Sequence, residues 1–188
     1  YDVAIIDENN IWAVGEIYMK DSLGNYDHNA YNAVHWNGQK WELKKISVLF
    51  RGNIITPPLE GVFAFSGNDI WFVGSLPIHG DGNNWTMYDL RTTVNPNLSL
   101  SKAWGISSNN IYFVGNNGSI AHWDGSSWKK IESGTTTNIN DIWGIVDPVT
   151  QVKKIFCAVS FVFDPGDKKI LTISGSNNVD SLNWNTGR

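Results

Sequence analysis

The residues best able to do chemistry are three histidines, His35, His79 and His122, each just before an Asn-Gly or Asp-Gly pair. Imidazoles titrate near neutral pH and are the commonest metal ligands, so they could serve acid–base catalysis or hold an ion. All three, however, occupy one position of a repeated segment. Since each repeat of a repeat protein contacts only its neighbours, equivalent residues do not converge on one ion. We therefore predict that these histidines are structural and that the chain has no metal site.

Other catalytic groups are sparse. The chain has three arginines, and it lacks the nucleophile, metalloprotease and phosphate-loop motifs. The single cysteine, Cys157, lies in an apolar run, which predicts a small buried side chain and not a nucleophile. We expect no catalytic residue and no cofactor. A pair of glycosidase carboxylates stays open, because their separation cannot be read from sequence.

The composition argues against nucleic acid and membrane partners. Net charge is −4, and the lysines are too dispersed to form the basic face that nucleic-acid binding requires. No stretch approaches the roughly 18 consecutive apolar residues of a membrane helix, so we predict no membrane span.

The elements that carry the histidines are internal repeats. The segment 9–15, Asn-Asn-Ile-Trp-Ala-Val-Gly, recurs at 68–74 and 109–115, and more weakly at 154–159. The histidine, the Asn-Gly or Asp-Gly turn and a tryptophan follow each of the three strong copies. Asn-Gly or Asp-Gly between apolar alternations is a strong hairpin signal.

Each repeat predicts four short strands, placed in the third repeat near 102–107, 110–115, 118–123 and 127–132. A period near 40 residues with four strands is that of a propeller blade. We predict an all-β protein, a β-propeller of about four blades of four antiparallel strands, as a single domain over 1–188. The expected blades are 1–58, 59–100, 101–138 and 139–178, with 179–188 the start of a further unit.

Two sets of residues recur for structural reasons. Large rings are expected to fill the space between blades: Trp12, Trp71 and Tyr112 at one position, and Trp104 and Trp143 at another. Asn37, Asp81 and Asp124 are expected to make Asx-turns. The start of a further unit favours a fragment of a larger ring, which further blades or a homodimer would close.

At these residues the sequence resembles the Asp-box and related repeat propellers, a superfamily with sialidases, photosystem assembly factors and bacterial envelope proteins. The likeness lies in repeats of the form Trp-Gly-x-Ser-x-Asn-Asp-Ile-Tyr-x-Val-Gly, then His-Trp-Asp-Gly-x-x-Trp. The resemblance implies an extracellular or bacterial cell-envelope location. The chain departs from the Asp box, which separates Asp and Gly by one residue, because here they are adjacent.

Ligands of repeat proteins often contact insertions. The first repeat has two, near 21–32 and 47–58. The exposed aromatic or cationic candidates for ligand binding are Tyr18, Tyr26, Tyr31, Phe50, Arg51 and Trp85.

Three functional hypotheses remain. The first is a non-catalytic scaffold that binds a protein or carbohydrate at the cell envelope or outside the cell. The second is a sialidase-like glycoside hydrolase whose active site is completed by missing blades. The third is an assembly factor that docks proteins.

Overall fold

The computed structural model describes residues 1–26, 30–161, 164–175 and 177–183, and these form an all-β fold. The described residues contain four four-stranded antiparallel sheets and one two-stranded hairpin, and in each four-stranded sheet the strands follow chain order. This strand content confirms the predicted all-β class with four sheets of four antiparallel strands. The chain divides into two compact units, Tyr1–Asp89 and Leu90–Arg188.

The first unit holds two of the sheets with the hairpin between them in sequence. The first sheet consists of β1 (Asp2–Asp7), β2 (Asn10–Ile17), β3 (Tyr31–Trp36) and β4 (Trp41–Lys44). The hairpin consists of β5 (Val48–Phe50) and β6 (Asn53–Ile55). The second sheet consists of β7 (Gly61–Ser66), β8 (Asp69–Gly74), β9 (Leu76–Gly80) and β10 (Trp85–Met87).

The second unit begins with a single helical turn, α1 (Leu90–Thr93), and holds the other two sheets. The third sheet consists of β11 (Leu100–Ser107), β12 (Asn110–Gly115), β13 (Ile120–Trp123) and β14 (Trp128–Lys130). The fourth sheet consists of β15 (Ile139–Val146), β16 (Lys153–Phe161), β17 (Asp164–Ser174) and β18 (Asn178–Asn183). The strands of the third sheet lie within three residues of their predicted bounds. Asn178–Asn183 completes the fourth sheet, where the sequence placed the start of a further unit.

The hairpin turns between third and fourth strands are built by one side chain each. Asp124 Oδ1 accepts hydrogen bonds from the backbone N–H groups of Ser126 and Ser127, at 3.0 and 2.8 Å. Asp81 and Asn37 accept the equivalent pairs of bonds in the second and first sheets. The glycine that follows has a positive φ each time, 89° at Gly125, which explains why the turn pairs Asx with Gly.

The core of the first unit lies between its two sheets. Alternate residues of the first sheet, such as Trp12, Val14 and Ala33, pack with Val62 and Phe72 of the second sheet. Successive side chains of a strand point to opposite faces of its sheet, so one face of each of these two sheets contributes to this core.

The large rings expected between blades do not share one environment. Trp12, Trp71, Tyr112 and Trp104 are buried, whereas Trp143 is 67% exposed. The expectation that Trp143 is packed between blades is therefore wrong for this structure. The physical reason is that Trp143 lies on a face of the fourth sheet that no described residue covers.

Candidate functional site

Two of the six candidate residues, Tyr18 and Tyr31, line one cleft of the first unit, of about 180 Å³. We call it the first-unit cleft. It lies where the chain leaves β2, enters β3 and returns from the β5–β6 hairpin. Its lining consists of Gly15, Glu16, Tyr18, Ala30, Tyr31, Asn32, Thr56, Pro57 and Pro58.

A buried asparagine fixes the floor of the first-unit cleft. Asn32 Nδ2 donates to the carbonyl oxygens of Ile46 and Pro57, at 3.0 and 2.9 Å, and its Oδ1 accepts the N–H of Ile46 at 2.7 Å. These bonds join the start of β3 to both ends of the second insertion. Since Asn32 is buried and well bonded, it positions the lining and is not itself a free binding group.

A bulge opens the rim of the cleft. The register of β2 with β3 shifts between Val14 and Ile17, which leaves Gly15 and Glu16 out of the regular ladder. Bulges redirect side chains and are over-represented beside functional sites. Here the bulge places the exposed Glu16 carboxylate next to Tyr18.

The rim carries one anionic group held by a tyrosine. Tyr18 Oη donates to Glu16 Oε1 at 2.6 Å, and this bond raises the pKa of Tyr18 above its usual value. Tyr26 stands edge-on to Tyr18, with ring centroids 6.3 Å apart, and Lys20 Nζ lies over the Tyr26 ring. Lys45 Nζ lies 4.7 Å from the centroid of Tyr31. The aromatic rings here already attract ammonium groups, which is cation–π chemistry.

The Phe50–Arg51 pair lies elsewhere, at the tip of the β5–β6 hairpin. Arg51 Nε and Nη2 both lie 2.8 Å from Asp89 Oδ2, and the guanidinium lies over the Phe50 ring at 5.1 Å. The positive φ of Arg51, 49°, follows from its place in this turn. The structure does not bring these two candidates into the first-unit cleft.

Trp85, expected to be exposed, is partly buried. Its ring centroid lies 4.9 Å from that of Phe72 and 5.9 Å from that of Trp12, in the core of the first unit. The pairing of β10 with β9 puts the ring of Trp85 on the core face of the second sheet, so Trp85 is not the exposed side chain that the sequence predicted.

The three repeat histidines have one geometry. Each ring stacks on the aromatic ring of the neighbouring strand, with centroids 4.1 to 4.3 Å apart. Each Nε2 lies 2.9 Å from a side-chain oxygen at the start of the second strand. The pairs are His35 with Asn10, His79 with Asp69, and His122 with Asn110. The histidines thus tie strands two and three of their own sheets together.

In the second unit this arrangement extends into a partly buried chain of hydrogen bonds. Lys153 donates to Tyr112 Oη, which donates to Asn177 Oδ1 at 2.8 Å. Asn177 Nδ2 lies 3.4 Å from His122 Nδ1. Burial, aided by the Lys153 charge, lowers the pKa of His122 to about 4, and burial raises the pKa of Tyr112 to about 12. The network therefore holds a neutral imidazole at neutral pH.

The described residues contain no group of three or more His, Cys, Asp or Glu side chains placed to hold a metal ion. Cys157 is buried, and burial raises the pKa of its thiol to about 12. No helix among the described residues is long and apolar enough to cross a bilayer.

A larger, shallow cleft of about 610 Å³ lies in the second unit. Its described lining is polar and has no aromatic ring, and one of its cations, Lys130, is paired with Glu132 at 2.6 Å. It contains none of the six residues singled out by sequence.

The solved structures that are similar to the whole chain include two of YCF48. "YCF48 bound to D1 peptide" matches with a TM-score of 0.62 and 20% identity over 100% of this chain and 54% of that one. "YCF48 from Cyanidioschyzon merolae" matches with a TM-score of 0.54 and 15% identity over 100% of this chain and 73% of that one. No model of a known protein family matches the chain, and no curated protein does either.

The likeness to YCF48 shows the fold of this chain, which is that of a β-propeller. It supports the resemblance to photosystem assembly propellers at the level of the fold, whereas neither structure supports a sialidase. The chain spans about half the length of the first of these structures.

Sequence reasoning missed Glu16, Asn32 and the Pro57-Pro58 pair in the first-unit cleft. The double proline was a usable signal, because two fixed φ angles make a rigid wall. Glu16 had none, since its position depends on the bulge in β2.

Proposed function

We propose that the protein is a non-catalytic scaffold that binds an extended segment of a protein partner, and that the first-unit cleft receives one basic side chain of that segment. The observation that carries the proposal is the combination of two tyrosine rings, a proline wall and the Glu16 carboxylate around one small cavity.

The size of the cleft favours a side chain over a small molecule. Pockets for small molecules usually measure about 300 to 1,000 Å³, and this one measures about 180 Å³. A Lys or Arg side chain has an apolar stem that suits the tyrosine and proline walls, and a cationic end that suits Glu16. Tyrosine and arginine are also among the residues that contribute most at protein interfaces.

The comparison adds support of a general kind. One of the similar structures is that of YCF48 bound to a D1 peptide. A protein of similar fold therefore accommodates a peptide. We propose peptide binding for this chain as well, without proposing the same peptide.

Panning random displayed peptides against the protein tests this proposal. Wild type should enrich Lys or Arg flanked by apolar residues. Glu16→Gln should reduce that enrichment, while Glu8→Gln, a matched change at another exposed carboxylate of the first unit, should keep it unchanged. Selection of peptides without basic residues, or equal selection by Glu16→Gln, would contradict the proposal.

Three further properties of the protein are proposed: glycan binding, its location and the closure of the ring. Binding of a glycan by Tyr18 and Tyr26 predicts shifts of their ring signals on titration with oligosaccharides and no dependence on Glu16. An extracellular or cell-envelope location predicts recovery of the native protein outside the cytoplasm. Closure of the ring by further blades or by a homodimer is the third.

A further inference from the structure

The β5–β6 hairpin of the first unit has one edge that pairs with no other described strand, residues 53–56. We call it the open edge. The hairpin turn consists of Arg51 and Gly52, which both have a positive φ, 49° and 84°. A two-residue turn of this kind joins a hydrogen-bonded pair, here Phe50 and Asn53. Pairs without and with these bonds then alternate along an antiparallel hairpin.

This alternation decides which backbone groups of the open edge point outward. Leu49 and Ile54 form the next pair and are not bonded to each other, so their N–H and C=O groups face away from the hairpin. Thr56 lies two residues further on and has the same orientation, and its Oγ1 lies 2.7 Å from Ser47 Oγ across the hairpin. Within the described residues, the backbone groups of Ile54 and Thr56 have no hydrogen-bond partner.

The composition of the open edge favours pairing with another strand. Its sequence, Asn-Ile-Ile-Thr, is uncharged and rich in β-branched residues, which are typical of strands. Edge strands commonly carry charged side chains that discourage pairing, as Glu42 and Lys44 do on β4. Ile54 is 79% exposed, so its surroundings leave room for an added strand.

The open edge leads directly into the first-unit cleft. Thr56, Pro57 and Pro58 follow β6 and line the cleft. Because proline has no N–H, the row of bonding groups ends at Thr56. Pro57 is buried and shares its side of the strand with Ile55, which packs against the core. On an added strand, a side chain opposite Pro57 would point to this same side, where Asn32 bonds to the Pro57 carbonyl in the floor of the cleft.

We propose that the partner segment binds as an added strand, antiparallel to β6, which pairs through its backbone with Ile54 and Thr56. The inference rests on the proposed function, since the basic side chain that enters the first-unit cleft belongs to the same segment. Strand addition to an exposed sheet edge is a recurring mode of peptide recognition, and antiparallel pairing is the more stable kind.

Strand geometry sets the spacing of the side chains in the partner. In an antiparallel strand, the residue opposite Pro57 comes three positions before the residue opposite Ile54. The first of these is the basic residue of the cleft. The second lies beside the exposed Ile54 side chain, where an apolar residue forms a favourable cross-strand pair. The partner motif is therefore Lys or Arg followed, three positions later, by an apolar residue.

Two N-methylated peptides test this binding mode without altering the protein. The probe is acetyl-Arg-Thr-Thr-Val-Thr-amide, with its Val opposite Ile54, and binding is followed by amide chemical shifts of the complete chain. Methylation of the Val nitrogen removes the donor to the Ile54 carbonyl and should weaken binding roughly two- to tenfold, the range that one net hydrogen bond supplies. Methylation of the preceding Thr nitrogen, which points away from β6, is the matched control and should leave the affinity unchanged.

A pair of protein variants tests the same edge from the other side. Ile54→Pro removes the N–H that would donate to the peptide, so it should weaken binding of the unmethylated probe by a similar factor. Leu49→Pro is the matched control, because Leu49 holds the same place on the other strand of the hairpin and is 70% exposed. In the wild type, the probe should slow the hydrogen exchange of the Ile54 amide and leave that of Leu49 unchanged.

The outcomes separate this inference from the proposed function. Equal affinities of the two methylated peptides, with Glu16→Gln still weakening binding, would overturn strand addition and leave the basic side chain in the cleft. Absence of binding, or binding that Glu16→Gln leaves unchanged, would contradict the proposed function and this inference with it.

A second copy of the chain is the competing occupant, because two open edges could pair with each other. Sedimentation of the 188-residue chain should show a particle of 21.0 kDa at micromolar concentration. A dimer that Ile54→Pro dissociates and Leu49→Pro does not would assign the open edge to a second copy and contradict the proposal.

Discussion

The imidazole of His122 is enclosed by the Tyr112 ring on one face and by Asn110 and Asn177 at its two nitrogens. Neutral imidazole fits this setting, since one nitrogen donates to the Asn110 oxygen and the other faces the amide of Asn177. Protonation would turn the second nitrogen into a donor facing another donor, near the Lys153 charge. Burial, first, and that charge, second, explain the lowered pKa.

This predicts acid sensitivity within a defined window. His122 has a pKa of about 4 when folded and about 6.5 when unfolded, so its contribution is complete above pH 6.5 and is lost as pH falls toward 4. Since one pKa unit corresponds to about 1.4 kcal/mol, the loss should be on the order of 3 kcal/mol. Urea denaturation across this range should show it, and His122→Gln should flatten the profile. An equal slope in the variant would contradict the assignment.

The close contact between Gly144 and Trp104 predicts that a single added methyl group will destabilise the protein. Gly144→Ala would place a methyl group 2.5 Å from the Trp104 ring, and overpacking of this kind costs about 1 to 3 kcal/mol. Gly15→Ala is the matched control, because the nearest atom to its Cβ would be 3.8 Å away. Thermal unfolding should separate the two variants. Equal midpoints would mean that Trp104 does not rest on Gly144.

At the scale of the element, the hairpin turns rest on one acceptor oxygen. Asp124→Ala removes the acceptor for the N–H groups of Ser126 and Ser127 and the partner of Lys129, so its urea midpoint should fall. Asp124→Asn keeps the oxygen and should retain most of the stability, since Asn37 serves the same turn in the first sheet. If the Asn and Ala variants lose the same amount, the backbone bonds are not what stabilises the turn.

Turn chemistry is also why the sheets could be predicted. Asx-Gly turns and alternating apolar residues are local signals, and they located the strands of the third sheet to within three residues. The first-unit cleft has no such signal. Its walls come from two unrepeated insertions, and Glu16 reaches the rim through a bulge that the sequence of β2 does not reveal.

Across the whole chain, burial of the repeat positions depends on what lies beside each sheet. Trp104 and Trp143 have the same place in the repeat, yet one is buried and the other exposed. A repeat pattern specifies which side chains face the neighbour, but it does not specify that a neighbour is present. For the same reason, Trp85 could not be assigned to the core of the first unit without the pairing of β9 with β10.

The most direct test of the binding function is amide chemical-shift mapping of the complete chain with two blocked peptides, Gly-Arg-Gly and Gly-norleucine-Gly. The arginine peptide should shift the amides of residues 15–18, 30–32 and 56 and leave those of the second unit unchanged. Because exposed ion pairs are worth about 0.2 to 1 kcal/mol, Glu16→Gln should weaken binding by roughly 1.5- to fivefold. Equal shifts with norleucine, or shifts confined to the second unit, would contradict the assignment of binding to the first-unit cleft.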